Sequence, residues 1–199
     1  MSSGEKYVGV KFEIEFEGEW IPDSLASELV SWAKKLDEDG LTPPYEYNGR
    51  KCNAGNLSYR KEPGFVITPT ARSSASLSPL DLVFVVRCDP AGRKVFARGS
   101  NPPSSEALTH YAIYSARPDV GAVFHGHDGA ILKNAGKMGE AVAKEAAYGS
   151  VELALGVQKS AEKADFIVLE NHGFIALGKT MRDAGELALG KHDEAERLG

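Results

Sequence analysis

Short apolar runs of strand length recur along this chain, but they do not alternate with helices in the regular order that builds a parallel sheet. Glycine, proline or acidic residues bound the runs, which predicts buried strands joined by turns. The predicted strands are VGAVFHGH from Val120, DFIVLE from Asp165, FIALG from Phe174, and the shorter segments Phe65–Thr68, Leu82–Arg87 and Lys94–Ala97. We therefore expect one α/β domain over residues 1–199, with a largely antiparallel sheet flanked by helices.

The remaining segments divide into helices, one loop and one further strand. Apolar stripes, caps and stop signals predict helices over residues 22–40, 101–119 and 150–163 and in the tail from 180, and AVAKEAAYG at 141–149 has helical propensity. TPPYEYNGRKCNAGN, residues 42–56, is rich in turn formers and is predicted as a loop. YVGVKFEIEFEGEW, residues 7–20, alternates apolar and charged side chains, which predicts a half-buried strand.

The distribution of charge and hydropathy excludes several classes of partner. The net charge is −5 and no block of Lys or Arg occurs, which argues against a nucleic-acid surface. No apolar run approaches the roughly 20 residues of a membrane-spanning helix, and MSSGEKYVGV lacks the apolar core of a signal peptide. We expect a cytoplasmic chain in which Cys52 and Cys88, which belong to no CxxC pattern, are free thiols.

Three histidines follow apolar strands. His125 and His127 are separated by one glycine, and a strand projects residues i and i+2 from the same face. Two such imidazoles suit Zn²⁺, although an isolated pair is slightly more typical of a polar strand end. His172 comes directly after another predicted strand and precedes Gly173, and the three together favour a metal site. Mn²⁺, Co²⁺ or Fe²⁺ would also accept these ligands.

The helix that begins near residue 104 carries a second group of candidates. Glu106 in its first turn either complements the helix dipole, which spacing alone favours, or acts as a general acid/base beside a metal. Ser104 and Ser105 either cap the helix or bind an anion at its start. The loops NAGNLS and ITPTARSS also have two interpretations. They are either simple turns or part of a phosphate-binding site that uses backbone N–H groups and hydroxyls and no lysine. His110 and His192 fall inside predicted helices and are interpreted as structural or exposed.

The ordered segments AGNLSYR, VITPT, PPSSEALTHYAIYSARPDVGAVFHGH, YGSVELA and LENHGFIALG resemble the class II aldolase/adducin family, and within it the aldolases of sugar phosphates such as L-fuculose 1-phosphate. The resemblance covers roughly residues 53–196, and the string from Pro103 to His127 is its specific part. It implies an α/β/α sandwich around a mainly antiparallel sheet, and a homotetramer with sites between subunits.

The resemblance also implies roles for individual residues. His125, His127 and His172 match zinc ligands, and Glu106 matches the catalytic acid/base, which can approach the metal when substrate is absent. The chemistry implied is retro-aldol cleavage of a small phosphorylated sugar to dihydroxyacetone phosphate and an aldehyde. The residues that match the three phosphate loops are Gly55, Asn56, Thr70, Ala71, Ser104 and Ser105.

Within the family, several features bear on the reaction. Glu106 favours the aldolases over the related 4-epimerases, which usually carry aspartate there; a methylthioribulose-phosphate type of dehydratase is the other alternative on the same metal site. The three histidines argue against a non-catalytic, adducin-like module. Ala71 stands where the family usually has glycine, Asn53 stands where the aldolases commonly have threonine, and residues 1–20 form an added β segment. Two tyrosines that serve the aldehyde half of the substrate in the fuculose-phosphate enzyme have no match here.

Overall fold

The computed structural model describes residues 9–199. In chain order the main elements are β1 (Glu13–Phe16), α1 (Ala26–Glu38), β2 (Pro44–Tyr47), β3 (Arg50–Asn53), β4 (Asn56–Lys61), β5 (Gly64–Ile67), β6 (Val83–Asp89), β7 (Lys94–Arg98), α2 (Ala107–Ala116), β8 (Ala122–Gly126), α3 (Gly129–Met138), β9 (Ala141–Ala143), α4 (Val151–Ala161), β10 (Phe166–Leu169), β11 (Gly173–Gly178) and α5 (Met181–Arg197). Two short 3₁₀ turns, Ser74–Ser76 and Pro79–Asp81, lie between β5 and β6.

Nine of the described strands form one sheet in the order β1-β7-β6-β5-β4-β8-β11-β10-β9. The six inner pairings are antiparallel, and the two edge strands, β1 and β9, pair in parallel. β8 lies near the centre, between β4 and β11, with His125 opposite Asn56 on one side and Ile175 on the other. The predicted mainly antiparallel sheet is confirmed.

Helices cover both faces of the sheet, so the predicted α/β/α sandwich is also confirmed. Strand residues alternate between the two cores: Phe65 and Ile67 pack with α2 and α4, whereas Val66 packs with α1 and α5. The central strands are therefore buried on both faces, which explains why their sequences read as continuous apolar runs rather than as an alternation. α2 and α4 form one layer, and α1, α3 and α5 form the other.

Most of the sequence predictions hold at the level of elements. The helices predicted from Ser150 and Thr180 begin after these residues, and each hydroxyl accepts a backbone N–H bond as an N-cap. Cys52 and Cys88 are buried free thiols, as expected. None of the helices in the described residues is long and apolar enough to cross a membrane.

Three predictions of secondary structure were wrong. Residues 42–56 are not a loop, because β2 and β3 form a hairpin whose Asn48–Gly49 turn has φ values of 49° and 72°. The polar NAGNLS segment runs directly into β4, so Asn56 is part of a central strand. Residues 141–149 contain the edge strand β9 and no helix, whereas the unpredicted α3 begins one residue after Asp128, its N-cap.

The predicted N-terminal strand is shorter than its sequence pattern. Residues 7 and 8 lie outside the described part of the chain, and pairing with β7 begins only at Glu13. Phe12 is buried, but Phe16 remains 47% exposed because β1 is an edge strand. The alternating pattern correctly predicted the burial of Phe12 and overestimated the burial of Phe16.

Gly185 on α5 provides a test of the packing between helices. A Cβ placed there would lie 2.3 Å from the ring of Trp32 on α1, and that ring contacts Phe124 edge-on at 5.9 Å between centroids, so it cannot retreat freely. We expect Gly185→Ala to lower the free energy of unfolding by about 1–3 kcal/mol in a denaturant titration. The matched control is Gly190→Ala in the same helix, which has open space around it and should gain about 1 kcal/mol. A stabilised Gly185→Ala protein would contradict this packing.

Candidate active site

The end of β8 brings two histidines together in the interior. His125 and His127 are 1% and 8% exposed, and their Nε2 atoms are 3.0 Å apart. The His125 Nδ1–H donates to the carbonyl of Phe174 at 2.8 Å, across the pairing of β8 with β11. Because Nδ1 is engaged by that carbonyl, Nε2 is the ring nitrogen that faces His127.

The turn between β10 and β11 adds the third imidazole. The His172 N–H donates to the carbonyl of Leu169 at 3.0 Å, and Asn171 before it has a left-handed φ of 57°, which asparagine tolerates better than most residues. Gly173 lies so close to β8 that a Cβ there would be 2.2 Å from the carbonyl oxygen of Gly126. The turn consequently places a nitrogen of His172 within 4.8 Å of those of His125 and His127.

Glu106 completes the cluster from the opposite side. Its Oε2 lies 2.9 Å from His125 Nε2 and accepts a hydrogen bond from Asn56 Nδ2 at 2.9 Å, and its Oε1 lies 3.5 Å from His172 Nε2. Burial raises the pKa of this carboxyl group, but the charges of His125 and His172 and the two hydrogen bonds outweigh it and hold the pKa well below its usual value. Glu106 is therefore a buried carboxylate in its ionised form.

The donor set fits a divalent metal ion. Burial, together with the neighbouring His125 and His172, lowers the pKa of His127 well below its usual value and favours the neutral imidazole that binds metals. Glu106 Oε1 is buried without a hydrogen-bond partner among the described residues. Three imidazole nitrogens and a carboxylate oxygen that converge in this way match the preference of Zn²⁺ for N and O ligands, and related divalent ions accept the same set.

A pocket opens beside this cluster and gathers the loops singled out in the sequence. Its empty space is about 740 Å³, part of it open to solvent. Every predicted site residue except the more deeply placed His125 lines it: Gly55, Asn56, Thr70, Ala71, Ser104, Ser105, Glu106, His127 and His172. Residues far apart in the sequence thus form one cavity with the histidine cluster at its wall.

Close backbone contacts fix the first two loops. Gly55 has φ 86°, and a Cβ there would be 2.5 Å from the carbonyl oxygen of His125, so a side chain would separate this loop from β8. The Asn53 side chain joins the loops, since its Oδ1 accepts from the Ser74 N–H at 2.9 Å and its Nδ2 donates to the Thr42 carbonyl at 2.7 Å. Asn53 therefore links two segments around the pocket through hydrogen bonds of its side chain.

The third loop differs in detail from the prediction. Neither Ser104 nor Ser105 is the N-cap of α2; Glu106 occupies that position, with φ −99° and ψ 15°. The Ser104 hydroxyl instead accepts a weak bond from the Glu106 N–H at 3.3 Å. The segment from 104 to 106 is thus a tight turn that directs the carboxylate of Glu106 toward the histidines.

Some lining residues were not identified from the sequence. Tyr45 lies in the β2–β3 hairpin and Thr42 lies just before it, in a region that was predicted as a loop. Tyr148 lies in the segment that was predicted to be helical. Arg72 follows Ala71 directly, and its guanidinium is paired with Asp81. Its position directly after the TPTA loop is the sequence signal that marks Arg72 as a pocket residue. Nothing local in the sequence marks Tyr148.

The two other described histidines lie outside the cluster. His110 is fully buried, its Nδ1 is 2.6 Å from the Ser58 hydroxyl, and burial lowers its pKa to about 3. His192 Nδ1 is 2.6 Å from a carboxylate oxygen of Asp128, the N-cap of α3. These contacts agree with the structural interpretation of both residues.

Comparison with known proteins gives one consistent result. A family model described as the class II Aldolase and Adducin N-terminal domain matches residues 28–194. A Rhodospirillum rubrum protein named 5-methylthioribulose-1-phosphate/5-deoxyribulose-1-phosphate aldolase is 34% identical over 185 residues, covering 85% of this chain and 77% of its own. An L-fuculose phosphate aldolase of Methanococcus maripaludis is 33% identical over 147 residues, covering 66% of this chain and 77% of its own.

A solved structure of an L-fuculose 1-phosphate aldolase has the same fold. It superposes with a TM-score of 0.73 at 25% identity and covers 89% of this chain and 85% of that one.

The strain at Ala71 can be measured. This residue has φ 50°, in the left-handed region that costs a non-glycine residue about 1–2 kcal/mol. We expect Ala71→Gly to raise the free energy of unfolding by about 0.5–1 kcal/mol, because the relief of strain exceeds the extra entropy of the unfolded chain. Ala91→Gly in an exposed turn, where φ is not positive, is the control and should lose about 0.4–1 kcal/mol. Equal losses in both variants would argue against strain at Ala71.

Proposed function

The chain belongs to the class II aldolase and adducin family, and from this premise we propose that it is a metal-dependent aldolase, a carbon–carbon lyase. The substrate we propose is a small sugar phosphate, such as L-fuculose 1-phosphate, that is cleaved to dihydroxyacetone phosphate and an aldehyde. The observation that carries the proposal is the buried carboxylate of Glu106, 2.9 Å from His125 Nε2 at the wall of the pocket.

In this proposal His125, His127 and His172 hold a Zn²⁺ ion through their ring nitrogens. The hydrogen bond from His125 Nδ1–H to the Phe174 carbonyl supports that role, because it orients the ring and fixes the tautomer. When bound, such an ion supplies Lewis-acid stabilisation of negative charge on the carbonyl oxygen of the substrate.

Glu106 is the proposed acid/base. Its low pKa and the Asn56 hydrogen bond support an ionised carboxylate of fixed orientation in the free protein. In the condensation direction a carboxylate in this state can accept a proton from the substrate carbon next to the carbonyl, and the aldehyde oxygen takes up a proton as it becomes a hydroxyl. In the cleavage direction that hydroxyl releases its proton as the carbon–carbon bond breaks, and Glu106 passes a proton to the carbon that the bond has left. Asn56 keeps the carboxylate in place through its amide group, which favours a proton transfer at one defined position.

The three loops are the proposed phosphate site. Gly55 and Asn56, Thr70 and Ala71, and Ser104 and Ser105 all line the same pocket as Glu106. Backbone N–H groups and hydroxyls bind a phosphate by multiple hydrogen bonds, and the binding energy positions the reacting end of the sugar. Arg72 also lines the pocket next to the second loop, with its guanidinium paired to Asp81.

We also propose a homotetramer with its sites at subunit interfaces, on the strength of the family resemblance. Several apolar side chains on the described surface are compatible with assembly, and they include Ile21, Leu80 and Leu155, which are 85%, 76% and 59% exposed. Sedimentation analysis of the purified protein would measure the number of subunits.

Replacement of Glu106 tests the proposed acid/base. We expect Glu106→Gln to lower the rate of dihydroxyacetone phosphate release by a factor on the order of 10³ or more, since the amide cannot carry the proton. Bound metal should remain, because the three histidines are intact. The measurement combines a coupled assay of retro-aldol cleavage over a panel of ketose 1-phosphates with metal analysis of the same samples.

Glu28→Gln, an exposed carboxylate on α1, is the matched control and should leave both values unchanged. Substantial turnover by Glu106→Gln would rule out the proposed role. Product analysis separates the alternatives: an epimerised sugar phosphate would assign the site to a 4-epimerase, and loss of water from the substrate would assign it to a dehydratase.

A further inference from the structure

A line of polar side chains joins α2 to β4 and ends at the proposed acid/base. On β4 it consists of alternate residues, which project from one face of a strand, and on α2 it consists of residues four apart, which share one face of a helix. These six residues are the polar ladder: Asn56, Ser58 and Arg60 on β4, Glu106 at the N-cap of α2, and His110 and Tyr114 within α2.

Side-chain contacts connect the two sides of the polar ladder in the interior. Asn56 Nδ2 donates to Glu106 Oε2 at 2.9 Å. The Ser58 hydroxyl oxygen lies 2.6 Å from His110 Nδ1 and 2.9 Å from the Tyr114 hydroxyl. Ser58 and His110 are fully buried, and Tyr114 is 5% exposed. Ser58 thus links β4 to two successive turns of the helix.

The spacing of the two elements keeps these contacts in register. Two residues advance a strand by about 6.6 Å, and four residues advance a helix by about 6 Å, so the contacts stay aligned along the polar ladder. At its far end Arg60 Nη2 donates to the Tyr114 carbonyl at 3.0 Å. A slip of α2 along β4 would therefore break the hydrogen bonds of the whole polar ladder at once.

His110 lies in the middle of the polar ladder and is coupled to Glu106 through the helix backbone. Its N–H donates to the Glu106 carbonyl at 3.2 Å. Its ring stacks on Phe65 of β5, with 6.2 Å between centroids, a contact that is weakly directional. His110 Nε2 is buried without a hydrogen-bond partner among the described residues. The contact with Ser58 is consequently what fixes this turn of the helix on the sheet.

Stability of the fold alone does not account for a polar pair in this place. Phe65, on which the ring stacks, belongs to the apolar core between the sheet and the layer of α2 and α4. Burial lowers the pKa of His110 to about 3, so the ring is neutral and its contact with Ser58 is an uncharged hydrogen bond. An apolar side chain would fill the same space without burying polar atoms. What the hydrogen bond adds is a defined position.

From this arrangement we infer that His110 is a positioning residue for Glu106, because its contact with Ser58 sets where the first turn of α2 lies on the sheet. This inference rests on the proposed aldolase function, in which Glu106 transfers the proton. A misplacement of about 1 Å costs a reaction a factor on the order of 100 in rate. Loss of the Ser58–His110 contact therefore slows the proton transfer and leaves the phosphate loops and the three histidines in place.

Two variants at position 110 separate the hydrogen bond from the volume of the ring. Asparagine and leucine have similar sizes, but only the asparagine amide can form a hydrogen bond with Ser58 in place of Nδ1. We expect His110→Leu to lower the proton-transfer rate about tenfold or more, and His110→Asn to stay within about threefold of the wild type.

The measurement is the exchange of hydrogen at the reacting carbon of dihydroxyacetone phosphate in D₂O, with metal-loaded, full-length protein. Glu106 takes the proton from that carbon, exchanges it with solvent and returns deuterium to the same carbon, so this rate reports proton transfer without carbon–carbon cleavage. The rate is divided by the metal bound in the same sample, which removes the contribution of unfolded chains. The concentration of dihydroxyacetone phosphate that gives half the maximal rate should change by less than about twofold in His110→Leu.

Replacement of the partner hydroxyl gives an independent test. Ser58→Ala should reproduce the loss of His110→Leu, because the same contact is removed from the other side. Ser115→Ala is the matched control: it removes an exposed hydroxyl from α2 and should leave the exchange rate unchanged.

Two results would overturn the inference while the aldolase proposal stands: exchange in His110→Asn that is no faster than in His110→Leu, or a wild-type rate in Ser58→Ala. A wild-type protein that neither exchanges hydrogen in dihydroxyacetone phosphate nor cleaves any ketose 1-phosphate would overturn both.

Discussion

The close approach of backbone around β8 is the constraint on which the site depends. A Cβ at Gly173 would collide with the Gly126 carbonyl, one at Gly126 would lie 2.5 Å from the Phe174 ring, and one at Gly55 would lie 2.5 Å from the His125 carbonyl. Three glycines thus allow the loop around Gly55 and the start of β11 to pack directly on the strand end that carries the histidines. The His125–Phe174 hydrogen bond and the convergence of the three imidazoles both require this spacing.

Electrostatics in this crowded space accounts for the choice of residues. Burial by itself disfavours the charged form of each ionisable group in the cluster. It acts to raise the pKa of Glu106 and to lower the pKa of His127. Together the charges and hydrogen bonds compensate, and the result is an ionised acid beside at least one neutral imidazole. Both states are the ones that a divalent cation requires. The cluster is therefore better suited to holding a metal than to stabilising the fold.

The sequence predicted those parts of the structure for which the residue type and the hydrophobic periodicity point to the same conclusion. It did not predict the parts that depend on contacts between residues distant in sequence. The His-x-His spacing on an apolar strand predicted two imidazoles on one face, and the apolar strand before His172 marked it as a third strand-end histidine. The helix starts at Ser150 and Thr180 were predicted correctly because each depends on a hydrogen bond between residues close in sequence. The β2–β3 hairpin was missed although Asn48–Gly49 is a strong turn signal, because its flanking strands are polar. Tyr148 was missed because its position depends on its contact with Gly9 and on the packing of Gly149 against Ser105, which are distant in sequence.

The central claim is that the three histidines hold a metal that is needed for carbon–carbon cleavage. The most direct measurement is a titration of chelator-treated protein with Zn²⁺, with bound metal and release of dihydroxyacetone phosphate from a ketose 1-phosphate followed in parallel. The account predicts that activity rises in proportion to bound metal and saturates at about one ion per chain, and that His127→Ala gains neither. Full activity in the metal-free protein, or stoichiometric metal in His127→Ala, would contradict it.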